Sequence, residues 1–294
     1  MGYRYQESFR HFVGTVEQKQ REILGTQIRN TYHLMDFSVG RQLTPRWSVQ
    51  ASMPVLFADR NQLYNPRGEF TVNSIGDMTL GGRMNVWKPS NEQFSNVQLG
   101  FALKLPTGDY NAMGYALDAR GNSILATADQ SIQAGDGRLG FALDIQAYRP
   151  VWFDTMVYFS GTYLFNPHDI NGVYTYRGRA SERYMSVTDQ YLWRGGVSHS
   201  VPGLRGLTAT FGGRIEGVPV RDAFGKSNGF RRPGYAISLD PGAMFAWGDY
   251  TWSFNMPWAI ERNRRRSVPD IEDGRHGDAA FADYAIIFGV SRRF

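Results

Sequence analysis

The chain has no cysteine among its 294 residues, which excludes a disulfide framework, a thiolate metal centre and a thiol nucleophile. It also has no stretch approaching the roughly eighteen uninterrupted apolar residues of a membrane-spanning helix. Charge of one sign is barely in excess. Thirty-two Lys and Arg against 27 Asp and Glu leave +5. The basic residues are spread along the chain, with the densest run in one expected loop, so nucleic acid is not an expected partner. Histidine is sparse too. His11, His33, His168, His199 and His276 form no His-x-x-x-His pair, and no Ser in a recognisable motif accompanies His199. Neither a catalytic residue, nor a metal site, nor a cofactor is expected.

What the chain does have is aromatics, 14% of all residues, and 33 glycines. Mean hydropathy is −0.41 although 42% of residues are hydrophobic, because apolar side chains are set one at a time between polar ones. Period-two alternation marks strands with two unlike faces. Trp47, Val49, Ala51, Met53, Val55 and Phe57 oppose Ser48, Gln50, Ser52 and Pro54. Val97 to Leu105 and Leu139 to Ile145 repeat the pattern, as do Tyr250 to Ile260 and the final Tyr284, Ile286, Phe288 and Val290, with Phe294 in phase. Weaker segments at 2–12, 27–43, 75–88, 154–166, 189–200, 206–220 and 234–247 bring the total to about twelve.

Connection lengths alternate as well. Short turns at Thr44-Pro45, Pro150 to Asp154, Pro202 to Gly206 and Gly248-Asp249 are interleaved with long polar loops. The long loops are expected at about 13–26, 60–74, 108–136, 167–188, 221–233 and 262–280. Trp47, Trp152, Phe153, Trp247, Tyr250 and Phe294 lie beside the short turns. Tyr163, Phe165, Tyr191, Trp193, Tyr235, Trp258 and Tyr284 lie near the long-loop ends, as two interfacial belts would. These signals specify one all-β domain over 1–294, a transmembrane antiparallel up-and-down β-barrel of about twelve strands in the bacterial outer membrane. A soluble sandwich would have little reason to collect Gly and Ser on the charged face, whereas a crowded lumen does. Such a protein is exported, yet no apolar leader follows Met1, so the numbering is expected to begin at a mature or recloned N-terminus.

The polar phase carries Asp36, Asp77, Arg83, Lys104, Arg138, Asp144, Arg194, Arg214, Glu216, Asp240 and Glu261. These are the expected pore lining, either as a salt-bridged brace or as a selective path. Arg231, Arg232, Arg262, Arg264, Arg265 and Arg266 are expected at the outer rim, where guanidinium groups pair with lipopolysaccharide phosphates or recruit an anionic solute. The loop from Asp109 to Asp136 is richer in apolar residues than a solvated loop needs. It either folds into the mouth as a constriction or caps neighbouring loops.

The run Leu103-Lys104-Leu105-Pro106-Thr107-Gly108-Asp109-Tyr110, followed by Gln130-Ser131-Ile132-Gln133-Ala134-Gly135-Asp136-Gly137, resembles the outer-membrane barrels labelled meta-pathway phenol-degradation transporter-like. Tyr3-Arg4-Tyr5 and Thr44-Pro45-Arg46-Trp47-Ser48 carry the same resemblance, with Ala134 standing where that pattern usually has Pro. The resemblance implies a barrel and passage of small, aromatic or hydrophobic compounds, and it transfers no catalytic residue. The expected function is therefore a narrow passive channel whose partners are membrane lipid, lipopolysaccharide and a small solute. The alternative is a non-conducting structural or docking barrel that binds a protein at its loops or periplasmic rim.

Overall fold

A computed structural model describes residues 1–61, 69–89, 95–117, 120–175 and 177–294. Among these residues twelve strands run in an antiparallel meander. They are β1 (Gly2–Val13), β2 (Asn30–Gln42), β3 (Trp47–Asn61), β4 (Glu69–Ile75 and Thr79–Asn85), β5 (Asn96–Lys104) and β6 (Gly140–Trp152). There follow β7 (Thr155–Phe165), β8 (Gln190–Ser200), β9 (Leu207–Val218), β10 (Gly234–Leu239 and Gly242–Trp247), β11 (Tyr250–Asn255 and Trp258–Arg264) and β12 (Ala279–Arg292). Each strand pairs with its sequence neighbours, and β12 returns to β1 from Gly2↔Gly289 to Phe12↔Ala279. Closure removes the sheet edges that lipid cannot solvate.

Three strands are interrupted in mid-course. In β10 and β11 the breaks fall at Pro241 and Pro257, which lack the N–H a rung requires. In β4 the break at 76–78 has another cause, described below.

The outer face is the apolar one. Along β3, Trp47, Val49 and Phe57 are exposed, while Leu56, Ala58 and Arg60 turn inward and are buried. From Trp47 to Phe57 is about 33 Å of strand, and a tilt near 40° projects this to about 25 Å, the height of a hydrocarbon layer. Above Phe57 the outer face becomes polar, and Thr71 donates to Asp59 Oδ1 there (2.6 Å). The polarity inverts with it. Phe70 and Val72 face inward and are buried, so Glu69–Ile75 is a strand where the sequence reading expected loop 60–74. The remainder of that loop, 62–68, lies outside the described residues.

The core is inside the barrel mouth. Leu56, Ala58, Phe70 and Val72 of the wall pack against Ala112, Ala128 and Ile132 of the loop between β5 and β6. The loop carries a hairpin, Met113–Leu117 with Ser123–Thr127, and a single 3-10 turn, Gln130–Ile132. It has folded into the lumen. A second inserted hairpin, Ile170–Tyr174 with Tyr184–Ser186, buries Met185 and Val187 beside it.

Candidate functional site

The break in β4 is where the inserted loop is rooted. Thr107 Oγ1 accepts from Met78 N (2.8 Å), and the Asp77 carboxylate accepts from Gly108 N (2.9 Å) and Asp136 N (3.1 Å). The regular ladder is thus interrupted at 76–78, where Gly76 N still donates to Pro54 O (2.7 Å) and Met78 O accepts from Leu105 N (2.8 Å), and the segment binds both ends of the loop. Such close backbone approach requires glycine. A Cβ on Gly108 would fall 2.7 Å from the Gly76 carbonyl carbon, and one on Gly135 would fall 2.8 Å from Asp77 Oδ1. Lys104 is buried against Asp136 and lies 3.7 Å from Asp77. The Pro-Thr-Gly and Gly-Asp-Gly segments are therefore the two sides of one clamp.

Past its hairpin the inserted loop is latched between the β3 wall and the β9–β10 loop. Asp129, wholly buried, receives both Arg232 nitrogens (2.7 and 2.7 Å), and Arg60 of β3 lies 3.5 Å away. Ser131 donates its N–H (2.9 Å) and hydroxyl (2.7 Å) to the same carboxylate. Burial acts to raise the Asp129 carboxyl. The Arg232 and Arg60 charges and the Arg232 hydrogen bonds outweigh it, and hold it well below the usual carboxylate range. Gln130 Nε2 donates to Ser186 O (2.7 Å), which ties this loop to the second insertion.

Below the loops the lumen is lined by ion pairs. Arg83 of β4 reaches Asp144 of β6 (3.3 Å), and Arg194 of β8 reaches Asp240 of β10 (3.0 Å). Glu216 of β9 takes Arg214 (2.6 Å) and, from the far side, Arg4 of β1 (2.8 Å). Asp36 faces the lumen between Gly2 and Pro54. Arg138 lies beyond the strands and reaches Asn171 O (3.4 Å) in the second inserted loop.

Two placements differ from the sequence reading. Glu261 faces outward and accepts from the Tyr235 hydroxyl (2.8 Å), because a bulge between Ile237 and Ser238 resets the phase of β11. The arginines expected at an exposed rim are mostly interior. Arg231 is fully buried on Asp222 (2.9 Å), Arg264 on Asp270 (2.9 Å), and Arg262 on Asp283. Arg266 bonds Arg275 O (2.7 Å) and Asp270 O (2.9 Å). Only Arg265 of the six is exposed. The reason is that β10 and β11 rise beyond the apolar band, where these arginines meet carboxylates of the folded loops and of β12.

Asp129, Asp222, Asp283, Arg4, Arg10 and Arg60 were missed as partners of these charges. For Arg4 the signal was present, since it shares the inward phase of β1 with Gln6 and Ser8, whereas a bulge between Ser8 and Arg10 breaks that phase. A cavity of about 570 Å³ remains between the clamp, the loops and the wall, with Tyr32, Leu34, Leu56, Lys104, Met185 and Arg232 among its lining.

A closed barrel with an apolar outside, a charged inside and its own loops in the mouth is a membrane-spanning barrel of the outer-membrane type. Comparison with solved structures agrees on the fold. The chain superposes on an outer membrane channel from Pseudomonas putida F1 with TM-score 0.63 at 11% identity, covering 100% of this chain and 94% of that one. It superposes on the β domain of the Bordetella autotransporter BrkA with TM-score 0.54 at 11% identity, covering 100% and 98%. No family model matches the chain, and no curated protein matches it.

Proposed function

We propose that the chain is a narrow passive channel for small solutes in the bacterial outer membrane, with the β5–β6 loop as its constriction. The observation that carries this reading is the arrangement of the lumen. Its charged wall persists from mouth to turn end, whereas the apolar plug occupies only the loop end, against Leu56, Phe70 and Val72. Lower down, Gln146 and Tyr148 face inward and are exposed. Twelve strands also enclose more than the eight that side chains alone fill.

The remaining cavity mixes rings and aliphatic groups with a few charges, which suits a solute with one apolar ring and one polar group. The likeness to the phenol-degradation barrels rests on the clamp segments and points the same way. Contact with the outer leaflet is assigned to the aromatic belts, with Arg265 the remaining exposed candidate for a lipopolysaccharide phosphate.

Conductance of the purified protein in a planar bilayer tests the reading. Stepwise currents are expected, with ion selectivity shifted toward cations by Arg83→Glu and Arg194→Glu. Silence at every voltage would sink the channel and favour the docking barrel. The Asp189–Asp222–Arg231 network gives that second reading its one support, because it fastens two loops into a rigid cap that a protein partner could recognise.

A further inference from the structure

We infer that a depression in the outer wall at the turn end, across β2, β3 and β4, binds one anionic phospholipid of the periplasmic leaflet. Arg41 takes its phosphate, and the wall beside Gly82 takes an acyl chain. The inference stands on the outer surface alone and holds whether or not the lumen conducts.

The three strands present two rows of outward residues there. Arg41, Val49 and Gly82 are paired side by side in one row, and Val39, Ala51 and Leu80 form the next row toward the loops. These residues line a cavity of about 530 Å³, together with Gly40, Gln50 and Gly81 of the inward phase. Trp47 and Met84 form the row nearer the turn.

The depression exists because two positions that face lipid carry almost no side chain. Backbone geometry does not require glycine at 82. Its φ is outside the left-handed region, and a Cβ there would meet nothing nearer than Ser48 O at 3.6 Å. Glycine within a strand is otherwise a loss, since it orders a freer chain and packs nothing. Gly82 and Ala51 leave a hollow flanked by Val39, 72% exposed, and Leu80, 45% exposed. A hollow without partner atoms forfeits dispersion contacts, and a lipid chain restores them.

The polar end of the site is a cation without a protein partner. Among the described residues Arg41 has no hydrogen bond, ion pair or ring contact. Other arginines at this rim are engaged. Arg46 donates to Asn85 O (3.2 Å) and to Val86 O, and Arg292 lies over the rings of Tyr250 (5.3 Å) and Phe294 (4.9 Å). Arg41 stands one row deeper than Trp47 of the belt, so its guanidinium extends along the wall toward the headgroups. There it meets phosphate through paired, charge-assisted hydrogen bonds. The short turns of such barrels are periplasmic, which makes the phosphate that of a glycerophospholipid. An anionic headgroup also balances the uncompensated charge, as a zwitterionic one does not. A second copy of the chain fits less well, because a two-fold contact through this face would set Arg41 against Arg41.

Native mass spectrometry of the full chain in detergent, with equimolar phosphatidylglycerol and phosphatidylcholine, reads lipid occupancy and oligomeric mass together. One phosphatidylglycerol is expected to stay on the monomer. Arg41→Gln should weaken it about tenfold, the factor that about 1.4 kcal/mol gives. Gly82→Leu keeps the cation but fills the hollow, and should weaken the lipid by a similar factor. Arg149→Gln removes an exposed arginine at the same rim, paired with Val157 and away from the depression, and should change nothing. Folding is verified by migration of the unheated barrel on SDS gels, and Arg41→Gln alone decides if Gly82→Leu does not fold. Equal loss in Arg41→Gln and Arg149→Gln, equal binding of the two lipids, or a dimer in place of the lipid-bound monomer would overturn the site.

Discussion

At the residue scale, the charges inside this barrel act in pairs, and single substitutions should expose that. Asp129 neutralises Arg232 and lies near Arg60 in a dry setting. Removing one partner of a buried ion pair leaves the other desolvated and uncompensated, at a cost of about 3–5 kcal/mol. Asp129→Asn is therefore expected to release the inserted loop without opening the barrel. Protease should then cut between β5 and β6 while the strands stay resistant, and single-channel current should rise. Uncut protein with unchanged current would remove Asp129 as the latch.

A second residue-scale prediction concerns acid. Asp278, at the loop end, accepts from His11 Nδ1 (3.0 Å) and pairs with Arg21 (2.7 Å). Burial opposes its charge, but the His11 hydrogen bond and the Arg21 charge prevail and lower its pKa to about 2. A depressed carboxyl stabilises the fold fully above its unfolded value, about 3.9, and that contribution is lost as pH falls toward the folded value. Thermal unfolding should place wild type above Asp278→Asn near neutral pH, and the gap should close below about pH 4. A gap that persists into stronger acid would contradict the pairing.

At the element scale, legibility in the sequence depended on what each strand faces. β3, β5 and β6 were readable because lipid imposes one polarity on every second residue from Trp47 to Phe57 and its equivalents. Phe70 and Val72 were read as loop because their inner side meets a plug and their outer side meets water, which inverts the expected pattern. Glu261 was assigned inward because an unbroken period cannot foresee a bulge. Arg231 and Arg264 were read as rim residues because a run of arginines ordinarily faces outward, and periodicity does not show that Asp222 and Asp270, nine and six residues away in the same loops, fold back onto them. The clamp was visible as a motif, but its purpose was not, since Asp77 belongs to a different strand. That purpose predicts the effect of a side chain there. Gly135→Val would drive methyl groups into Asp77 and Gly108. The expected result is a folded barrel whose β5–β6 loop loses amide protection from hydrogen exchange as one unit, while β4 keeps its own.

At the scale of the whole molecule, stability and solubility both follow from which face meets which solvent. Leu80 is exposed on the outer wall opposite Ala51, midway along the apolar stretch of β3. Arginine there would have to leave its charge in hydrocarbon, at about 2–4 kcal/mol near the bilayer midplane. Gln50, one residue from Ala51, faces the lumen, where its neighbours already include Arg83 two residues along the same ladder. Folding titrations in lipid vesicles should therefore show Leu80→Arg destabilised by that amount and Gln50→Arg nearly unchanged. The same pair compared in a soluble β-sandwich would behave in the opposite sense, because the apolar face would be the interior and the charged face would be wet. Equal costs at the two positions, or a larger cost at Gln50, would mean that the wall is inside out relative to lipid, and every assignment of lumen and belt would reverse with it.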